Sequence, residues 1–425
     1  MLLQFTVGNF LSFNDPVTLS MVASSIKEHE NTNLFVENKI KLLKSAAIYG
    51  ANASGKSNLI KALSFMKKFV FISSKETQAT EEIEIANFKL STETDNKPSF
   101  FEIVFINENI IYRYGFEADK KNIQKEWLFQ TGSGREAKLF KREKNNFELG
   151  SYFKEGEGKE NITRNNALFL SVVAQFNGEI SKKILEWFAK LKIISGLNEG
   201  YSGFTIDKIK EPEFKNKILN FLKIADLGIE DINSTETKIS PESLPQNTPE
   251  FLKTSALKDE LKNVEINTFH KKYNSDKNFL LLEKFDLENE ESEGTKKFFA
   301  ISAPIIDTLM RGYTLIIDEL DSRLHPILSQ HIINLFNSSQ NSLNAQLIFA
   351  SHDTNLLNKE FLRRDQIWFT EKDKYGATKL YSLVEYKIGL DKVRNDSLYS
   401  KNYILGKYGA VPYVGDFKSL FKGKQ

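Results

Sequence analysis

The run SAAIYGANASGKSNLIKALSFMKKF, residues 45–69, constrains this chain more than any other stretch. Ala46-Ala47-Ile48-Tyr49 is short, apolar and strand-like. After the Gly50–Ser57 octet, Leu59, Ile60, Leu63 and Met66 recur on one helical face. Strand, Gly-x-x-x-x-Gly-Lys-Ser and helix, in that order, is the context a phosphate-binding loop requires. Glycine lets the backbone curl until successive N–H groups point inward at phosphate oxygens. Lys56 is spaced to neutralise the β- and γ-phosphates, the Ser57 hydroxyl can ligate Mg²⁺, and the helix N-terminus adds partial positive charge. The candidate nucleotide residues are therefore Gly50, Asn52, Ser54, Gly55, Lys56, Ser57 and Asn58, with ATP and Mg²⁺ as the expected ligands.

A P-loop needs a carboxylate on the metal side, and TLIIDELDSRLHP, residues 314–326, supplies one. The aliphatic run Thr314 to Ile317 ends at Asp318-Glu319, as in a Walker B strand. Asp318 is placed to hold Mg²⁺ through water and Glu319 to polarise the attacking water. Further on, NAQLIFASHDTNLL has a strand, Leu347 to Ala350, that delivers Ser351 and His352; a histidine there can hydrogen-bond a γ-phosphate.

The run LENEESEGTKKFF, residues 287–299, is acidic, and such runs are ordinarily solvated. Here Phe298, Ile301, Ile305 and Leu309 fall on one helical face, although Pro304 should bend that helix or mark an irregularity. Ser292 then takes the N-cap position, and Gly294 leaves the first-turn N–H groups unobstructed for an anion.

The order of P-loop, Ser-x-Gly, Walker B and histidine resembles that of ATP-binding-cassette ATPases. The resemblance implies that Ser292-Glu-Gly-Thr is a signature motif, reduced to Ser292 and Gly294. It also implies a homodimer or higher homo-oligomer in which these residues meet the Lys56 of a second subunit across ATP. Leu320-Asp321-Ser-Arg-Leu-His325-Pro326 is similar to the D-loop and Leu-His-Pro turn of SMC- and RecF-type cassettes, which makes Asp321 a nucleotide-site residue. The opening Asn9-Phe10-Leu-Ser-Phe13 points the same way. Gln175, in FLSVVAQFNG, reads as a Q-loop candidate after an apolar strand, a ligand to metal and nucleotide. DQIWFTEKDKYGATKLYSL and the GKYGAVP stretch resemble the AbiLi/RloA family of prokaryotic AAA-type ATPases. That resemblance implies a Mg²⁺-dependent ATPase of anti-phage defence, encoded beside an effector of the RloB/AbiLii type.

The expected fold class is α/β: an ABC-type P-loop core with a mixed sheet flanked by helices, an antiparallel β-lobe and a helical insert. The core is split between residues 1–75 and 276–385. Residues 76–160 form the β-lobe, read from the stretches EEIEIANFKL, SFFEIVFI, IIYRYGFEA and KEWLFQ. Residues 161–275 form the insert, with amphipathic helices over 179–194 and 211–226 and a Ser-, Asn- and Pro-rich loop over 232–255. The stretch DQIWFTEKDKYGATKLYSL, residues 365–383, reads as a hairpin closing the core sheet, and 386–425 as a C-terminal tail. No heptad runs long enough for an SMC-style coiled coil.

Lys+Arg is 58 against 56 for Asp+Glu, so no global field points to nucleic acid, although the tail carries eight basic residues against three aspartates. With no cysteine, disulfides, thiol catalysis and cysteine-bound zinc are excluded, and a reducing cytoplasm suits the chain. MLLQFTVGNFLSF lacks the pattern of a signal peptide, and no run approaches the ~18 apolar residues of a membrane span. Two other readings share the P-loop. One is a RecF-like ATPase acting on DNA. The other is an OLD-type nuclease, for which the 73 residues after His352 are too few.

Overall fold

Every residue of the Ser45–Tyr49 strand is buried, and the sheet around it explains why. In the computed structural model, which describes residues 1–76, 78–195, 202–238, 262–388, 391–393 and 397–412, this strand lies inside a six-stranded sheet. The order is Leu191–Ser195, Thr314–Asp318, Gln346–Ala350, Ser45–Tyr49, Ile367–Lys372, Thr378–Ser382. The first five strands run parallel and the last antiparallel. Parallel strands covered on both faces need continuous apolar runs, as SAAIY, TLIID and QLIFA provide. Ile317 lies opposite Phe349, and Ile48 opposite Ala350. Gly50, Glu319 and Ser351 therefore leave the sheet at one carboxyl edge, where open α/β sheets place their ligands.

A seven-stranded antiparallel sheet follows the order Asn146–Leu149, Ala137–Glu143, Ile123–Thr131, Ile110–Ala118, Ser99–Asn107, Leu2–Gly8, Val17–Ser20. The Lys56–Ile72 helix buries Leu59, Leu63, Met66 and Phe69 in one core with Ile48, Ile316 and Ile348 of the parallel sheet and Phe5, Phe101 and Phe116 of the antiparallel one. Phe69 packs 5.6 Å from Phe116, centroid to centroid.

The chain divides into two compact units: Met1–Ser195, Arg311–Asp321 and Ser329–Gln425 in one, Gly196–Met310 and Ser322–Leu328 in the other. Both sheets above belong to the first. SFFEIVFI, IIYRYGFEA and KEWLFQ are strands as their alternation predicts. EEIEIANFKL is not. Ile83, Ile85 and Phe88 are buried, but the Ile83 amide donates to the Lys120 carbonyl and the Ala86 carbonyl accepts from Leu11, contacts that form no ladder. Alternation there records burial alone. The helix expected over 179–194 stops at Lys190, and Leu191–Ser195, with two adjacent isoleucines, becomes the edge strand of the parallel sheet. The 367–382 hairpin closes that sheet as expected.

The second unit has a three-stranded antiparallel sheet, Ile229–Lys238, Lys262–Tyr273 and Phe279–Asp286. The helices Ser202–Lys208 and Pro212–Ile224 and nearly all of Glu293–Arg311 belong to it. The loop expected over 232–255 is corrected in its first part: residues 232–238 are strand, and 239–255 lie outside the described residues. Its polar side chains pair across the ladder, since Asn267 Nδ2 donates to Asn233 Oδ1 and Thr235 Oγ1, both at 3.2 Å. The Glu293–Arg311 helix continues through Pro304. Proline has no N–H for the Ala300 carbonyl one turn back, and the buried Thr205 hydroxyl donates to that carbonyl instead, at 2.8 Å.

Candidate active site

Between strand and helix, residues 50–55 form a tight loop with Ala53 at φ 60° and Gly55 at φ 118°. A side chain at Gly55 would be strained by that φ and would place its Cβ 2.4 Å from Thr378 Oγ1. At Gly50 a Cβ would meet Ser54 Oγ and the Thr370 carbonyl at 2.4 Å. Hydroxyls brace the loop from the C-terminal hairpin. Ser54 Oγ lies 2.6 Å from Thr370 Oγ1, which donates to the Tyr49 carbonyl at 3.3 Å. Thr378 Oγ1 donates to the Ser54 carbonyl at 2.8 Å and stands 2.8 Å from Ser12 Oγ. The Lys56 ammonium is buried and donates to the loop's own carbonyls, Gly50 at 2.8 Å and Ala51 at 3.1 Å. Burial pulls its pKa down to about 8, while the carboxylates of Asp318, Glu319 and Asp321 pull it back toward the charged form.

Those carboxylates stand at the end of the Thr314–Asp318 strand. Glu319 takes the left-handed conformation, φ 54°, a backbone that costs a non-glycine residue on the order of 1–2 kcal/mol. Asp321 Oδ2 accepts the His352 amide at 3.2 Å. Burial, with the positive charge of Lys56, lowers the pKa of the His352 imidazole. Among the described residues at this edge, three buried carboxylate oxygens have no hydrogen-bond partner: Asp318 Oδ1, Asp321 Oδ1 and Asp353 Oδ2. Orphaned acceptors beside a buried lysine and a serine hydroxyl fit a hydrated Mg²⁺ whose other ligands are phosphate oxygens. Among the described residues no group of three or more His, Cys, Asp or Glu could hold a metal ion.

The carboxyl edge thus brings together Gly50, Asn52, Ser54, Gly55, Lys56, Ser57, Asp318, Glu319, Asp321 and His352 in one unit. Asn58 turns to a structural bond, its Nδ2 donating to Ser12 Oγ at 2.8 Å. Gln175 is a correction. Phe169–Gln175 is a helix, because the buried Glu126 carboxylate accepts the Phe169 and Leu170 amides at its N-terminus, at 2.6 and 3.0 Å. Two adjacent valines made that segment look like a strand. Gln175 lines a cavity with Phe71, Ser74 and Lys75, at the far end of the P-loop helix and roughly 20 Å from Ser57 by helical rise.

Ser292 and Gly294 belong to the second unit. Ser292 caps the helix, its Oγ accepting the Thr295 amide at 3.1 Å. Glu293 is drawn aside by Lys296 at 2.9 Å and Arg323 at 2.7 Å, which lower its pKa, first through the Lys296 hydrogen bond. A Cβ at Gly294 would approach the Arg323 carbonyl to 2.9 Å.

Sequence reasoning missed Ser12, Thr370, Thr378 and Asp353. Ser12 sits in the NFLSF opening already singled out; single threonines in a hairpin carry no signal of their own.

The family model described as "AAA domain, putative AbiEii toxin, Type IV TA system" matches residues 45–358, from the P-loop strand to just past His352. Among solved structures, the SMC head domain from Thermotoga maritima aligns at 13% identity and a TM-score of 0.39, covering 90% of this chain and 98% of that one. An SMC head bound to the C-winged helix domain of ScpA aligns at 14% and 0.43, covering 90% and 97%. The recombination mediator protein RecF with ATP aligns at 15% and 0.30, covering 82% and 93%. No curated protein matches. The family match takes in the P-loop, the Asp318-Glu319 pair and His352 and spans most of the chain, which belongs to this AAA-domain family.

Proposed function

We propose that the protein binds and hydrolyses ATP as an ABC-type ATPase, closes as a dimer around the nucleotide, and controls a partner effector in prokaryotic anti-phage defence, as its resemblance to the AbiLi/RloA family implies. One observation carries the enzymatic part: a buried lysine inside a glycine-cradled loop, electrostatically coupled to Asp318, Glu319 and Asp321, two of which have orphaned buried oxygens. Glycine at positions 50 and 55, where a Cβ would strike Ser54, Thr370 or Thr378, lets the loop curl tightly enough for its backbone N–H groups to face phosphate. Lys56 neutralises charge on the β- and γ-phosphates. Glu319 receives the proton of the attacking water as its oxygen bonds to the γ-phosphorus and the bond to the β-phosphate oxygen breaks, leaving ADP and phosphate. Ser57 and Asp318 would hold Mg²⁺, which would supply charge neutralisation at the phosphates. Ser292 and Gly294 of a second subunit complete the site through a capped helix N-terminus. The toxin and toxin–antitoxin system in the family description support the defence role. A RecF-like action on DNA finds less support in a chain whose basic and acidic residues nearly balance, 58 to 56.

The test is Glu319→Gln. ATP binding is expected to persist, with phosphate release slowed on the order of 10²–10⁴-fold by loss of the base. Wild-type turnover in this variant would remove Glu319 from the reaction.

A further inference from the structure

The acidic run around the start of the Glu293–Arg311 helix is not uniformly solvated. The side chains of Glu288 and Glu293 are 75 and 55% exposed, whereas that of Glu291, the residue before Ser292, is 9% exposed. Burying a carboxylate costs free energy unless hydrogen bonds replace the lost water, and one strand supplies them. Glu291 Oε1 accepts the Thr268 hydroxyl at 2.6 Å and lies 2.7 Å from His270 Nε2. Thr268, Phe269 and His270 pair in unbroken register with Phe285, Lys284 and Glu283, so Thr268 and His270 share a face. Thr268 is fully buried, and the His270 ring packs 4.7 Å from that of Phe285, centroid to centroid. The same strand, Lys262–Tyr273, fixes the start of the turn, where the amide of buried Leu287 donates to the Ile266 carbonyl at 2.9 Å. On the other side of Ser292, Glu293 is held by Lys296 and Arg323, and the Lys297 ammonium donates to the Ser322 carbonyl at 2.5 Å. All of these residues belong to the second unit. Ser292 itself stays exposed between two anchored glutamates.

We infer that Glu291 is a positioning residue: held by Thr268 and His270, it fixes the turn that aims Ser292 and the helix N-terminus at ATP bound by the other subunit. The inference rests on the shared site proposed above. Ser292 has to meet phosphate across a subunit boundary, where a misplacement of about 1 Å can cost on the order of 10²-fold in rate. A serine ending a fully solvated acidic turn would have no fixed direction. A carboxylate drawn out of water one residue away supplies it, and gives the central strand of the insert sheet a part in catalysis.

Glu291→Ala in the full chain is expected to lower kcat on the order of 10²-fold, with ATP affinity at the P-loop kept. Glu291→Gln, whose amide oxygen still accepts from Thr268 and His270, should restore most of the turnover. In the Glu291→Ala background, His270→Phe should cost little more, since its partner is already gone. Mixed dimers, isolated through two different tags, assign the effect to one side of the site. Glu291→Ala on one chain and Lys56→Ala on the other leave one site with an intact lysine facing an intact turn, so activity should return. Both changes on one chain, paired with a wild-type chain, damage each site once, and that dimer should stay inactive. Thr268→Val, which removes one donor at nearly constant volume, carries the same test if Glu291→Ala does not fold. The reverse pattern would mean that Glu291 serves the P-loop of its own chain. That pattern, or wild-type turnover in Glu291→Ala, overturns the inference. Lys56→Ala mixed with Ser292→Arg separates the two readings. Recovery there but not with Glu291→Ala sinks the role of Glu291 alone, and recovery in neither mixture sinks the shared site with it.

Discussion

The Tyr49 hydroxyl donates to the main-chain carbonyl of Asp353 across 3.2 Å, so the residue before the P-loop holds the loop that carries His352. Tyr49 is fully buried, which raises the pKa of its hydroxyl well above the ordinary value and keeps it a neutral donor. The Tyr403 ring packs 6.1 Å away on the C-terminal segment. Tyr49→Phe removes one oxygen and leaves the ring. Stability is expected to fall by about 1 kcal/mol, read from urea unfolding, with turnover reduced and ATP affinity kept. Unchanged turnover would mean that His352 needs no such anchor.

Lys56 makes ATP affinity depend on pH. Its folded pKa is depressed to about 8, so burial of its charge is a penalty at and below that pH. The penalty fades as pH rises toward the ordinary lysine value, because the unfolded chain then holds the extra proton. Nucleotide favours the charged lysine and has the opposite dependence. From pH 7 to pH 9 ATP affinity is expected to fall about tenfold, with proton uptake visible by calorimetry in buffers of different ionisation heat. Lys56→Arg, which does not titrate in this range, should flatten the profile. A flat wild-type profile would contradict a depressed Lys56.

If two subunits share each site, Lys56→Ala and Ser292→Arg are each expected to be inactive alone. Mixed dimers should regain part of the ATPase activity, because one of their two sites keeps both residues intact. Ser292→Ala, which costs only about 1 kcal/mol of helix capping, controls for folding. Mixed dimers shown to form without recovered activity would confine Ser292 to its capping bond with Thr295.

The Thr205–Ala300 hydrogen bond gives a double-mutant cycle. Thr205→Val leaves the Ala300 carbonyl without its donor and is expected to destabilise by about 1–2 kcal/mol. Adding Pro304→Ala restores an amide one turn ahead and should recover most of that loss. Simple additivity of the two changes would show that the threonine does not substitute for the missing amide.

What was legible in the sequence follows the range of the interactions. The P-loop and the Asp318-Glu319 strand end could be read because their chemistry is written in consecutive residues. The Phe169–Gln175 helix could not, since a carboxylate at position 126 nucleates it. Asn233 and Thr235 read as loop because their partner, Asn267, lies across the ladder. The C-terminal segment, read from the sequence only as a basic tail, buries Tyr408 completely and ties its carbonyl to the Tyr381 hydroxyl at 2.7 Å. Its aromatic residues signalled that burial but could not name the Phe369 ring they meet.

The bracing of the P-loop by Thr370 and Thr378 bears on biosynthesis. Residues 50–57 leave the ribosome early, but Ser54 meets its supporting hydroxyls only after residue 378 has been made. The Ser45–Tyr49 strand likewise waits for both of its neighbours, Gln346–Ala350 and Ile367–Lys372. At about 5–20 residues per second, that delay is on the order of tens of seconds. A nascent chain that stops short of these residues therefore carries the phosphate-binding sequence without the means to shape it, and ATP can engage only a polypeptide that has been translated past residue 378.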